Sequence, residues 1–104
     1  MNLLDTVAVT SRSFSKNEGL VNDLKTKYSK VILNDSGATL RGQELISFLS
    51  SADKAIIGIE EISAEVLHQL PNLKVISKYG VGINNLDIDT LKSKGVQLGF
   101  TPGV

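Results

Sequence analysis

The sequence predicts an α/β domain built on a doubly wound parallel sheet. Short β-branched apolar runs alternate with stretches whose apolar residues recur at helical spacing, five runs against four. Capping residues, glycines and a proline fall at the junctions between them. Sequential βα units of this length imply parallel strands with helices on both faces.

Thr6-Val7-Ala8-Val9-Thr10 is short, β-branched and mostly apolar, so it reads as a buried first strand. Ser15-Lys16-Asn17-Glu18 matches a capping box, in which a hydroxyl and a carboxylate satisfy free amides at a helix start. Leu20, Val21, Leu24 and Tyr28 follow at helical spacing. Lys30-Val31-Ile32-Leu33-Asn34 is the second strand, closed by the turn-forming Asn34-Asp35-Ser36-Gly37. Leu45, Ile46 and Leu49 mark a helix over Arg41 to Ser50.

Ala55-Ile56-Ile57-Gly58-Ile59 is the third strand and the most apolar. Ser63 can cap a helix carrying Val66, Leu67 and Leu70, and Pro71 stops it. Leu73-Lys74-Val75-Ile76-Ser77 is the fourth strand, followed by the loop Tyr79-Gly80-Val81-Gly82. Asp87 can cap a short helix through Leu91, with Gly95 as the residue just past its end. Val96-Gln97-Leu98-Gly99-Phe100 is the fifth strand, and Thr101-Pro102-Gly103-Val104 is turn-like. The expected architecture is flavodoxin-like, with strand order 2-1-3-4-5.

At 104 residues the chain fits a single domain spanning 1–104. Its 41% hydrophobic and 21% charged residues describe a folded protein, not a disordered one. Eleven basic residues balance eleven acidic ones, which argues against a nucleic-acid binder. Without cysteine there is no disulfide framework and no thiolate nucleophile, and one histidine excludes a multi-histidine metal centre. No run approaches the roughly 20 apolar residues a bilayer requires. A cytoplasmic protein is the expectation. No fifth helix follows the fifth strand, so one sheet face near strands one and five is expected to lack cover. That face would favour a homodimer or another association.

Ligands of open α/β sheets bind beyond the carboxyl ends of the strands. Three loops fall there: Ser11 to Phe14, Gly58 to Ile62, and Ser77 to Asn85. In the last, Gly80 and Gly82 bracket Val81, so successive amides can turn outward as a nest for a carboxylate or phosphate. Lys78 adds a positive charge. The alternative is an ordinary loop whose glycines only satisfy backbone geometry. The pair is not a dinucleotide fingerprint: the third position is Asn85, and the glycines follow the fourth strand, not the first. Tyr79 either lines a pocket or packs on the sheet edge. Arg12 either meets an anion or stays in solvent. Glu60, Glu61 and Glu65 read as a solvated helix entrance, and His68 as a surface histidine.

Leu73 to Asp87, with Lys78-Tyr79-Gly80-Val81-Gly82-Ile83-Asn84-Asn85-Leu86-Asp87 at its centre, resembles the D-isomer-specific 2-hydroxyacid dehydrogenase family. The resemblance is nearest to the phosphoglycerate dehydrogenase branch. The family pattern is a basic residue, one further residue, then Gly-x-Gly-x-Asp-Asn-Ile-Asp. Ile62 to Leu67, Pro71 to Lys74, Leu91 to Val96 and Thr101 to Val104 match the flanking segments. The resemblance implies a substrate-binding domain in which Gly80, Val81 and Gly82 present amides to the substrate carboxylate, with Lys78 and Tyr79 adjoining. It places NAD and the hydride-transfer Arg, Glu and His on residues beyond these 104, so no catalytic, cofactor-binding or metal residue is expected on this chain. A small 2-hydroxy or 2-keto acid would bind weakly, and the isolated chain would be inactive. The alternative is a non-catalytic, standalone interaction module derived from such an enzyme. Asn84 stands where the family has Asp, and Lys78 where it has Arg. Ile57-Gly58 replaces the Arg-Ser that many phosphoglycerate dehydrogenases place after strand three.

Overall fold

A computed structural model of the chain describes residues 6–34, 39–79 and 85–101. The elements run β1 (Thr6–Val9), α1 (Arg12–Lys16), α2 (Glu18–Lys27), β2 (Lys30–Leu33), α3 (Gly42–Leu49), β3 (Lys54–Ile57), α4 (Ala64–His68), β4 (Val75–Tyr79), α5 (Ile88–Lys94) and β5 (Gln97–Thr101). All neighbouring strands are parallel, in the order β2-β1-β3-β4-β5. This is the doubly wound sheet the alternating pattern predicts.

The pleat sends alternate side chains into two cores. On one face Ala8, Ala55, Ile57 and Ile76 meet Leu45 and Leu49 of α3, Leu67 of α4 and Leu91 of α5. On the other, Val7, Val9 and Ile56 meet Phe14 of α1 and Val21 and Leu24 of α2. A strand buried on both faces reads as a continuous apolar run, which is why β1 and β3 were so legible.

Several element boundaries depart from expectation, among them that of β3, which ends at Ile57 where Ile59 is expected. The segment after β1 is a short helix, α1, capped by Ser11, whose Oγ accepts from Phe14 N at 3.2 Å. Asn17, not Ser15, caps α2, accepting from Leu20 N at 3.1 Å. Strand β4 starts two residues later than Leu73 and runs through Tyr79, so Lys78 and Tyr79 belong to the sheet and not to the loop. The expected bare face at strand one is also corrected. Val7, Ala8 and Val9 are each 0% exposed, because α1 and α2 cover one side and α3 the other. The thinner cover lies along β4 and β5, where Val75 is half-buried and its register partner Gln97 is exposed.

The amino edge of the sheet is tied by Asp53. Its Oδ2 accepts from Thr6 N at 2.9 Å, its amide donates to Thr6 O at 2.9 Å, and its carbonyl accepts from Lys74 N at 2.8 Å. Among the described residues no helix is long and apolar enough to cross a membrane.

Candidate functional site

The strand order reverses between β1 and β3, the place where doubly wound sheets usually open a crevice. Here it is filled. Thr10, directly after β1, is 0% exposed and Glu60 is 1% exposed. The Thr10 hydroxyl donates to Glu60 Oε1 at 2.8 Å, and Gly58 N donates to the same oxygen at 2.9 Å. A Cβ on Gly58 would come within 3.3 Å of Ser11 Cβ and Oγ, so the two loop starts touch. Asn34 closes the far side by donating from Nδ2 to Thr10 O at 3.0 Å. Among the described residues, Gly58 at this junction is packed against Ser11 and gives its amide to the inward-turned Glu60 carboxylate. Glu60 therefore departs from the solvated helix entrance expected of it. The hydroxyl and the amide that hold it buried come from separate segments.

The next gap, between β3 and β4, is framed instead of filled. Asn85 Nδ2 donates to Gly58 O at 3.0 Å and to Glu60 O at 2.7 Å. Ile62 N donates to Asn85 O at 2.8 Å, and Asp87 N to Ile62 O at 3.0 Å, which makes a parallel bridge between Ile62 and Leu86. The turn before α5 is thus sewn to the loop after β3. Asp87 caps α5 through Thr90 N at 3.2 Å, as its position in the sequence suggests.

Strand β4 delivers Lys78 and Tyr79 to this frame. Lys78 lies level with Ile57 on β3 and Phe100 on β5, and is 4% exposed. A lysine this buried ordinarily has a counter-charge. Among the described residues none pairs with it; the one ion pair there joins Lys27 to Asp23 at 3.3 Å on the surface. Tyr79 packs its ring edge-on against Phe14, with centroids 5.2 Å apart at 86°, which favours the packing reading of this residue. The glycine nest called at Gly80, Val81 and Gly82 lies outside the described residues.

Beyond the Ile62–Leu86 bridge lies an open depression of about 480 Å³ lined by Glu61, Ser63, Asn85, Asp87 and Asp89 among others. Three carboxylates on its wall make it a poor host for an anion. Glu61, Glu65 and His68 are exposed, as expected of surface groups. Arg12 lies on α1. Thr10, Glu60 and Asn85 went unnoticed as a group. Their one trace in the sequence is Asn85, which holds the Asn place of the glycine motif.

A family model described as D-isomer specific 2-hydroxyacid dehydrogenase, catalytic domain, matches residues 7–104. Glyoxylate reductase of Thermofilum pendens is 47% identical over 45 residues, 43% of this chain and 13% of that protein. Glycerate dehydrogenase of Hyphomicrobium methylovorum is 31% identical over 74 residues, 69% of this chain and 23% of that one. The solved structure of NAD+-bound 3-phosphoglycerate dehydrogenase from Entamoeba histolytica superposes with a TM-score of 0.78 at 20% identity, over 96% of this chain and 33% of that one. The matched part is about a third or less of each relative's own length.

Proposed function

The chain belongs to the D-isomer specific 2-hydroxyacid dehydrogenase family, and on that premise we propose that it forms the substrate-binding part of an NAD-dependent oxidoreductase of small 2-hydroxy acids. The observation that carries this is Lys78. It is a lysine only 4% exposed at the carboxyl end of a strand, leading straight into Gly80-Val81-Gly82. A cation there, together with the main-chain amides that a glycine pair can offer, suits a carboxylate. Tyr79 fixes the direction of the strand end through Phe14.

The proposed substrates are unphosphorylated acids of glyoxylate or glycerate size. Gly58 packs on Ser11, and Glu60 turns inward, so the loop after β3 brings no cation for a phosphate. The filled β1–β3 junction does not fit a dinucleotide, so in this reading NAD and the hydride-transfer groups belong to residues outside these 104. The setting proposed is the cytoplasm.

Two assays on the pure chain test this. NADH oxidation with glyoxylate is expected to be nil. Glyoxylate binding, read by saturation-transfer NMR, is expected at a millimolar constant, about −4 kcal/mol, since only half of a cleft is present. Gly80→Val, which restricts the backbone freedom of the glycine pair, is expected to abolish that binding. Turnover by the chain, or binding untouched by Gly80→Val, contradicts the reading. A second reading, self-association of two copies, is favoured by the thin cover over Val75 and Gln97. Light scattering decides it: a mass of two chains supports the pair, and a single-chain mass at high concentration removes it.

A further inference from the structure

Lys54 opens β3, and the strand register fixes its direction. It lies level with Val7 on β1 and Val75 on β4, so its side chain rises from the sheet face that α1 and α2 cover. There it stands half-buried at a cavity of about 210 Å³. Phe14, Leu20, Leu24 and Ile56 give this cavity an apolar wall. Asp23 and Lys27 of α2, and Tyr28 just after it, line the rest. The Lys54 ammonium lies 5.7 Å from the centre of the Tyr28 ring.

The charges around the cavity do not cancel. Asp23 is committed to Lys27, Oδ2 to Nζ at 3.3 Å, one turn along α2. Asp53, beside Lys54 in sequence, turns its carboxylate to Thr6 N at 2.9 Å. Among the described residues no carboxylate pairs with Lys54. A protonated Lys54 is thus partly withdrawn from water beside a second cation. Desolvation first, and the Lys27 charge second, hold its pKa below the ordinary 10.5. At a given pH more of it is neutral amine than for a lysine in water, and only the neutral amine is a nucleophile. Lys25, Lys30 and Lys74, by contrast, are exposed.

We propose that Lys54 is an acylation site for short-chain acyl phosphates, with Lys27 as the cation that receives the phosphate. The Lys54 Nζ lone pair attacks the acyl carbon and forms a C–N bond. The bond from that carbon to the phosphate oxygen breaks, and its electron pair leaves with inorganic phosphate. The amine proton passes to solvent, and nothing is oxidised or reduced. The apolar wall suits the acyl methyl group, and the exposed Lys27 ammonium suits the phosphate. The product is a neutral amide, free of both the desolvation of a charge and the repulsion from Lys27.

The test is incubation of the pure chain with acetyl phosphate near neutral pH, followed over time by mass spectrometry. Cleavage after glutamate releases residues 45–60, in which Lys54 is the only lysine. Lys54 is expected to acetylate about threefold or more faster than the exposed Lys74. The two are expected to react alike once the chain is unfolded in urea, because the cavity and the neighbouring cation are then gone. Lys27→Gln, a change at an exposed position, removes both the phosphate's partner and the repulsion. It is expected to slow acetylation of Lys54 by about threefold or more. Acetylation of Lys54 no faster than that of Lys74 overturns the proposal. A preference that survives in urea overturns it too, since it would then belong to the local sequence and not to the fold. So does a Lys54 rate that Lys27→Gln leaves unchanged.

Discussion

A glutamate three residues past a strand end ordinarily points into water, but Glu60 is 1% exposed and accepts from Thr10, fifty positions away in sequence, and from Gly58 beside it. Removing the carboxylate orphans the buried Gly58 amide and leaves the Thr10 hydroxyl only a long bond to Ile56 O at 3.4 Å. Glu60→Ala is therefore expected to cost about 2 kcal/mol in urea unfolding, and Glu60→Gln, which keeps an acceptor oxygen, less than about 1 kcal/mol. The spacing of Glu60, Glu61 and Glu65 says nothing of this, because burial is decided by a partner on another strand. Lys54 makes a second case. Its ammonium lies 5.7 Å from the centre of the Tyr28 ring, an attraction, yet its pKa is held below the ordinary 10.5, first by desolvation and then by Lys27. Desolvation and repulsion outweigh the ring. Folding therefore disfavours the charged lysine, and that cost is present at neutral pH. It is relieved as pH rises from the lowered folded value toward 10.5, where the unfolded chain binds more protons. Urea midpoints are expected to climb over that window in wild type, and Lys54→Met is expected to flatten the climb.

Helices and strands were legible wherever the pattern involved local chemistry. Asp87 and Ser63 cap α5 and α4 as read, and Gly95 ends α5 at φ 72°, in the left-handed region. A Cβ there meets nothing within 4 Å, so Gly95→Ala should cost backbone strain alone, about 1 kcal/mol by thermal unfolding. Boundaries slipped where two local signals competed. Ser15 and Glu18 have capping-box spacing, but Ser11 starts a helical turn earlier and uses Ser15 inside it, leaving Asn17 to cap α2. Leu73 was read as strand because it is apolar. It is indeed buried, at 4% exposure, but its amide bonds back to Leu70 O at 3.3 Å, so the ladder begins only at Val75. Burial and strand pairing are separate demands, and hydrophobicity reports only the first. That two-residue shift changes the site: it turns Lys78 from a loop charge into a strand residue of fixed position.

For the molecule as a whole, strand order and both cores followed from the alternation of elements, while the site did not. The glycines and Lys78 suggest an anion-binding edge, which stands here as a proposal. The closing of the β1–β3 junction by Thr10, Ser11, Gly58 and Glu60 required long-range contacts that no periodicity encodes. They are the reason the proposed ligand edge is set at β4 and not at the usual switch point. The central claim is that a small carboxylate binds at the end of β4 and nowhere else on this edge. The direct measurement is a ¹H–¹⁵N titration of the wild-type chain with glyoxylate, residue by residue. Amides from Lys78 to Ile83 are expected to move first and furthest, while those of Thr10, Ser11 and Glu60 stay still. Shifts centred on Thr10 and Ser11, or on the acidic depression around Glu61 and Asp89, would contradict the account, as would a spectrum that glyoxylate leaves unchanged.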